Sequence, residues 1–215
     1  MRINIKLKVD DFTLNIKDLI IEEGIYGIVG KNGSGKTTIL KAVSKEINSN
    51  LKIEGFNGKI IYVSQNPYMF KGTVFENIAM PLIFSKSDNI DKKVFDALNK
   101  LEINDLKNKY AKNLSSGERL KVALARAIIC KPDLLLIDEI TANVDILSKK
   151  WIYQTLENLK SNMTIIFATH DILDIKNCVD KMIYLENGEI KYQGECDYDI
   201  DFMKAYKEMG SDNYV

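Results

Sequence analysis

Apolar residues recur along this chain in two rhythms, and the change from one to the other marks its organisation. The opening rhythm is strand-like: "RINIKLKV", "FTLNI" and "DLIIEEG" are short alternating or apolar runs, and "GIYGIVG" is the compact, β-branched run of a buried strand. "KTTILKAVSKEI" follows at helical spacing, and "LKIEGFNGKIIYVSQ" predicts two strands around a turn punctuated by Gly55 and Gly58. From about Phe70 to Ala125 the period is helical. There "DKKVFDALNKLEI" sets Val94, Leu98 and Leu101 on one face with Phe95 and Ala97 beside it, and no clear strand returns before "DLLLID". A strand from Leu134 to Ile137, helix "LSKKWIYQTLENLK", strand "MTIIFATH", helix "DILDIKNCV" and hairpin "KMIYLENGEIKYQG" complete the pattern, the hairpin turning at Asn187-Gly188. The polar tail from Glu195 to Val215 predicts a short terminal helix. The whole is an alternating α/β core into which a helical lobe is inserted.

The strand-loop-helix at "GIVGKNGSGKTTIL" carries the first chemistry. Gly30, Gly35, Lys36 and Thr37 fill the pattern G-x-x-x-x-G-K-[ST], in which backbone N–H groups wrap phosphate oxygens, the lysine reaches the β/γ-phosphates and the hydroxyl binds Mg²⁺. The positive end of the following helix adds to the same site. Other strand ends supply what a nucleotide site needs. "PDLLLIDE" closes on Asp138 and Glu139, placed to orient Mg²⁺ and to activate water, because ligands in open parallel sheets bind at the strands' carboxyl ends. His170, the single histidine, ends "IIFATH", where a neutral imidazole can brace a γ-phosphate or the attacking water. Gln65 ends "IIYVSQ", where an uncharged amide can ligate Mg²⁺ or position water, and its loop leads into the helical lobe.

"NLSSGERLKVALARAII" places Leu114, Ser115, Ser116, Gly117 and Glu118 at the start of an amphipathic helix. Hydroxyls and backbone donors at a positive helix end make a second anion site. A Ser-x-x-Glu capping box accounts for the same residues without any ligand.

Composition narrows the classes. The chain has 215 residues, 46% hydrophobic, enough for a real core in one domain or a domain with an inserted lobe. Lys plus Arg and Asp plus Glu both number 30, so the formal net charge is zero and nucleic acid loses its cheapest electrostatic support as a partner. Cys130, Cys178 and Cys196 match no metal-ligand spacing and fit a reduced, cytosolic setting. No run approaches the ~18 apolar residues of a membrane span, and "MRINIKLKVD" has no signal-peptide hydrophobic region. Work at a membrane would need another chain to supply the membrane part. "NKLE" at Asn99 to Glu102 looks superficially like the base-reading motif of guanine-nucleotide switches, but it sits inside a helical pattern and is discounted.

Taken in order, these motifs resemble the ATP-binding subunit of ABC transporters across nearly the whole chain: phosphate loop Gly30 to Thr37, Q-loop Gln65, signature Leu114 to Glu118, Asp138 and Glu139, D-loop Ala142 to Asp145, and switch His170. The resemblance implies an α/β P-loop NTPase (RecA-like) core with a β-rich N-terminal subdomain and an inserted α-helical subdomain. Residues 1–69 and 126–195 would form the core, 70–125 the helical subdomain with the signature, and 196–215 a C-terminal tail. It implies ATP and Mg²⁺ as ligands. Phe12 would stack on adenine, and Asn32, Gly33, Ser34 and Thr38 would complete the phosphate cradle with Gly30, Gly35, Lys36 and Thr37. Thr37, Gln65 and Asp138 would hold Mg²⁺; Glu139, His170, Gln65 and Lys36 would serve catalysis. It further implies a head-to-tail homodimer or ABC ATPase heterodimer, each ATP lying between one subunit's phosphate loop and the other's signature, with Asp145 in the D-loop. The partners would be integral membrane permease subunits and, for an importer, a solute-binding protein, placing the chain peripherally on the cytoplasmic face of the membrane. Within "NPYMFKGTVFENIAMPLIF", Tyr68, Met69, Phe70 and Glu76 would meet the membrane partner. A prokaryotic importer is preferred over export, lipoprotein-release or cell-division complexes. The signature departs from the family at Ser116, where Gly is usual, and Glu118, where Gln is usual; Ile140 stands where Pro is common. The short span from phosphate loop to Gln65 predicts a reduced β-rich arm.

Overall fold

Half-apolar strands near the N-terminus gather in one sheet, and wholly apolar strands form the centre of another. In the computed structural model, which describes residues 1–139, 144–169 and 178–195, β1 (Arg2–Val9) and β2 (Phe12–Ile20) alternate buried and exposed positions and pair antiparallel. "FTLNI" and "DLII", expected as separate strands, are one. The register slips between Ile3, opposite Leu19, and Ile5, opposite Ile16, so β2 carries one extra residue, and Asp18 has a φ of 50° at this bulge.

β3 (Ile25–Val29) is buried at every position and leads through the glycine loop into α1 (Lys36–Val43). The helical spacing of the sequence continues to Ile47, but the helix stops at Val43 and Lys45 takes a φ of 63°. The two strands expected around Gly55 and Gly58 do form, yet not with each other. β4 (Asn50–Glu54) joins β1 to give the antiparallel order β2-β1-β4, whereas β5 (Ile60–Val63) crosses to a second sheet and pairs parallel with β6 (Leu134–Asp138). That sheet adds β7 (Thr164–Thr169), β8 (Lys181–Glu186) and β9 (Glu189–Glu195) in the order β5-β6-β7-β3-β8-β9. All neighbours are parallel except β8 and β9, a hairpin whose Asn187 and Gly188 have φ of 47° and 78°, as a type I′ turn requires.

Between β5 and β6 lie α2 (Val74–Phe84), α3 (Ile90–Lys100) and α4 (Ser116–Ile128); α5 (Ile146–Leu159) follows β6. The face of the large sheet bearing Tyr26, Ile28, Leu136 and Ile166 is covered by α1 and by Ile3, Ile5, Leu14 and Ile16 of the small sheet. The opposite face, with Ile25, Leu135, Ile137 and Phe167, packs on α5 and on Leu120, Ala123 and Leu124 of α4. α4 is apolar on a second side as well: Val122 and Ala125 join Val74, Ile78, Val94, Leu98 and Leu101 in a core among the helices. It therefore ties the helices to the sheet. The helix expected at "DILDIKNCV" begins, and the terminal helix lies, outside the described residues.

Candidate nucleotide site

The loop after β3 is shaped by glycine. Gly33 and Gly35 have φ of 81° and 108°, left-handed values of the kind that anion-binding concavities of successive backbone amides require. A Cβ on Gly35 would also lie 2.8 Å from the Phe12 ring, and one on Gly30 would strike the Leu185 carbonyl, so neither position admits a side chain without rearrangement. Inside the loop, Ser34 Oγ is buried with no hydrogen-bond partner among the described residues. An orphaned hydroxyl in a glycine-rich loop is a donor suited to an anion.

The lysine is held ready rather than extended into solvent. Lys36 is 5% exposed; its Nζ donates to the carbonyls of Gly30 at 2.8 Å and Lys31 at 3.2 Å and lies 3.5 Å from Glu139 Oε1. Glu139 is the residue after β6, with a φ of 42° that a non-glycine residue rarely adopts, and its N–H donates to the Ala168 carbonyl at 2.9 Å. Its Oε2 accepts from Gln65 Nε2 at 3.4 Å. Ends of β5 and β6 and the start of α1 thus bring Gln65, Glu139 and Lys36 into one chain of polar contacts.

Asp138 is deeper, 3% exposed. Thr37 Oγ1 donates to its Oδ1 at 3.1 Å and the Tyr62 hydroxyl to its Oδ2 at 3.0 Å. Burial pushes the carboxyl above its ordinary range, and these two hydrogen bonds oppose that rise. Burial, with the Asp138 charge next, pushes the Tyr62 hydroxyl well above its own range, so it remains a donor. Thr37 and Asp138 offer the hard oxygen donors that Mg²⁺ takes, few in number because the ion retains waters and substrate phosphates as its other ligands, and the residues present fit it. Gln65 is drawn to Glu139 rather than to this pair.

Beside these groups opens a cavity of about 520 Å³ lined by Phe12, Asn32, Gly33, Gly35, Lys36, Thr37, Thr38 and Glu139, a volume in the range of small-ligand sites. Residues 114–118 do not line it. Ser115 caps α4, its Oγ accepting from the Glu118 N–H at 3.3 Å while Glu118 Oε2 accepts from the Ser115 N–H at 2.8 Å, so the capping box is formed. Leu114 and Gly117 are buried and Ser116 is exposed. Asp145 caps α5, accepting from the Ser148 N–H at 2.9 Å and hydroxyl at 2.7 Å. His170 and the D-loop's Ala142 lie outside the described residues, as does Ile140.

Three participants were not singled out by the sequence reading. Tyr62 reaches Asp138 from 76 residues away. Asn77, fully buried in α2, accepts from the Phe70 N–H at 2.8 Å and donates to the carbonyls of Phe70 at 3.1 Å and Thr73 at 2.9 Å, latching the segment after Gln65 to the helix. Lys109 Nζ lies 2.8 Å from both carboxylate oxygens of Glu118. Only Asn77 had a signal in the sequence, an amide that with Glu76 interrupts the apolar run "VFENIAMPLIF".

A family model described as ABC transporter matches residues 14–142. The chain is 36% identical over 197 residues to the tungstate uptake system ATP-binding protein TupC of Peptoclostridium acidaminophilum, covering 86% of this chain and 91% of that protein. It is 33% identical over 194 residues to the methionine import ATP-binding protein MetN of Chlamydia pneumoniae, covering 79% of this chain but only 57% of that longer protein. Among solved structures, cbiO1 from Clostridium perfringens, described as part of the ABC transporter complex cbiONQ, matches with a TM-score of 0.83 over 98% of this chain and 95% of that one. At 23% identity this is a likeness of fold.

Proposed function

The chain belongs to the ABC transporter family, and on that premise we propose that it binds and hydrolyses ATP to drive a separate membrane permease. The observation that carries the reading is the convergence of Lys36, Thr37, Gln65, Asp138 and Glu139 at the mouth of the glycine loop. Amides of Gly33 to Thr38 and the Lys36 ammonium hold the phosphates, with Ser34 Oγ as a further donor and Phe12 against the base. Lys36 exchanges its loop carbonyls for phosphate oxygens, a stronger charge-assisted contact. Thr37 and Asp138, with Gln65 through its amide oxygen, would hold Mg²⁺, and the ion would supply charge neutralisation of the transferring phosphoryl group. Glu139 accepts the proton of the attacking water, and Gln65, already hydrogen-bonded to it, orients both. His170 braces the γ-phosphate.

The signature residues do not line the cavity at this chain's own loop, which supports a head-to-tail dimer in which Ser115 and Gly117 of one subunit meet the ATP of the other. Asp145, which caps α5 beside Gly117, would face the same junction. The residues following Gln65 suit the permease contact. A groove of about 480 Å³ between β5, α2 and α4 is lined by Tyr68, Phe70, Met80, Phe84 and Arg126 among others, and the Arg126 guanidinium donates to the Tyr68 carbonyl at 2.8 Å. Tyr68 and Phe84 are 70% and 74% exposed, a patch that suits an apolar helix face. No helix among the described residues is long and apolar enough to cross a membrane, in keeping with a peripheral subunit. The relatives named for import and uptake favour a solute importer. The test is ATP turnover by the purified chain beside Lys36→Ala: wild type hydrolyses ATP and the variant neither binds nor hydrolyses it. Near-normal turnover by the variant would place catalysis elsewhere.

A further inference from the structure

The signature carries an acid, Glu118, at a helix start that is to receive the partner subunit's triphosphate, and an uncompensated carboxylate there would repel it. The structure shows what offsets the charge. Lys109 Nζ lies 2.8 Å from both Glu118 oxygens, and of these Oε2 also accepts from the Ser115 N–H. The two side chains are 38% and 23% exposed, so the pair is only partly screened by water. The Lys109 ammonium, with the Ser115 N–H second, holds the Glu118 carboxyl below its ordinary range, which favours its charged form.

The lysine's backbone is fixed independently of the signature. Its carbonyl accepts from the Val74 N–H at 2.9 Å, Lys107 O accepts from Phe75 N at 3.1 Å, and Ala111 N donates to Gly72 O at 2.9 Å. Thr73 and Tyr110 form a bridge between these contacts. Thr73 caps α2 in a second capping box with Glu76. Residues 107–111 are thus stitched to the start of α2, the helix to which Asn77 latches the segment after Gln65. The ammonium is aimed at Glu118 from a scaffold continuous with the Gln65 loop.

We propose that Lys109 is a positioning and charge-compensating residue of the signature: it neutralises Glu118 and holds its carboxylate on the Ser115 amide, so that Ser115 and Gly117 can accept the partner's ATP. This rests on the trans-signature reading above. Lys109 needs no contact with nucleotide itself; it acts through Glu118.

The experiment uses the full chain carrying Glu139→Gln, which blocks hydrolysis and traps the ATP-bound dimer, sized by light scattering against ATP concentration at low and high salt. Lys109→Met in that background is expected to need roughly ten- to a hundred-fold more ATP for half-maximal dimer at low salt, a deficit that shrinks as salt screens the bare carboxylate. Adding Glu118→Gln to Lys109→Met restores dimerisation, because the repelling charge is gone. Glu118→Gln alone, an isosteric change that leaves Lys109 unneutralised, tightens the dimer and keeps the test decisive if Lys109→Met folds poorly. If the background dimerises and none of these variants moves its ATP dependence, the proposal is wrong. If Lys109→Met weakens the dimer but Glu118→Gln does not rescue it, Lys109 acts structurally and charge compensation is wrong. If Glu139→Gln alone stays monomeric at saturating ATP, the trans-signature reading fails first and takes the proposal with it.

Discussion

Replacing Tyr62 by Phe removes one hydroxyl and leaves the ring in place, so it isolates a single hydrogen bond to a buried charge. Asp138 is 3% exposed and receives donors from Thr37 at 3.1 Å and Tyr62 at 3.0 Å. A hydrogen bond to a charged group contributes about 1.5–3 kcal/mol. Tyr62 is only partly buried and water can approach the vacated position, so the lower end applies, about 1.5 kcal/mol. For a chain of this length that is a fall of about 3–6 °C in Tm, to be measured on nucleotide-free protein in EDTA. The pH dependence has a definite sign. Burial raises the Asp138 carboxyl and the Tyr62 bond lowers it, so the variant's folded carboxyl is raised further still. A carboxyl raised on folding costs stability once pH exceeds its folded value, and that cost fades as pH falls toward the unfolded value. The deficit of Tyr62→Phe is therefore largest near pH 8 and shrinks as pH falls into the acid range, because a carboxyl that takes up its proton has less need of a donor. In the active protein the same change should raise the Mg²⁺ concentration for half-maximal turnover by roughly tenfold, the usual effect of removing an outer-shell partner. An unchanged Tm near pH 8, or a deficit independent of pH, would refute the assignment of the Tyr62 hydroxyl to the ionised Asp138.

Asn77→Ala deletes three hydrogen bonds from a fully buried amide and strands the Phe70 N–H; thermal unfolding should show a loss of about 2–4 kcal/mol, and hydrogen exchange should rise selectively at residues 66–73. Gly30→Ala drives a Cβ into the Leu185 carbonyl and to 2.7 Å from Ser34 Oγ, so equilibrium binding should show nucleotide affinity lost even where circular dichroism shows the fold retained. Phe12→Ala removes the ring beside Gly35; competition binding should show ATP affinity falling roughly tenfold with kcat little changed, as removal of a stacking surface worth 1–3 kcal/mol predicts.

Locally encoded features were the ones the sequence displayed. β3 and β6 are apolar at nearly every position because both faces are covered, and the glycine loop, the Ser115–Glu118 box and the Asn187-Gly188 turn each depend on residues within a few positions of one another. Pairing between distant segments was not displayed. "LKIE" and "IIYV" have strand patterns, but nothing in either names its partner, and two strands expected around one turn join different sheets. "FTLNI" and "DLII" were parted at Lys17-Asp18 because a charged pair interrupts alternation, which a bulge accommodates. Within the site, the residues at strand ends were found because a strand end is visible in the apolar pattern. Tyr62 was missed because, in the middle of a β-branched run, it is indistinguishable from core, and Lys109 because its role exists only across nine residues of folded chain.

The central claim, that this chain closes over ATP with its signature in trans, is tested most directly by sizing Glu139→Gln with ATP in low Mg²⁺. Glutamine retains the shape but cannot accept the water's proton, so turnover should fall by roughly 10²- to 10⁴-fold while binding survives. The account predicts a stable dimer with ATP, a monomer without it, and a monomer again when Ser115→Arg is added to the same chain, because the bulky side chain occupies the place of the γ-phosphate from the opposite subunit. A Glu139→Gln dimer that forms equally well with Ser115→Arg would contradict it.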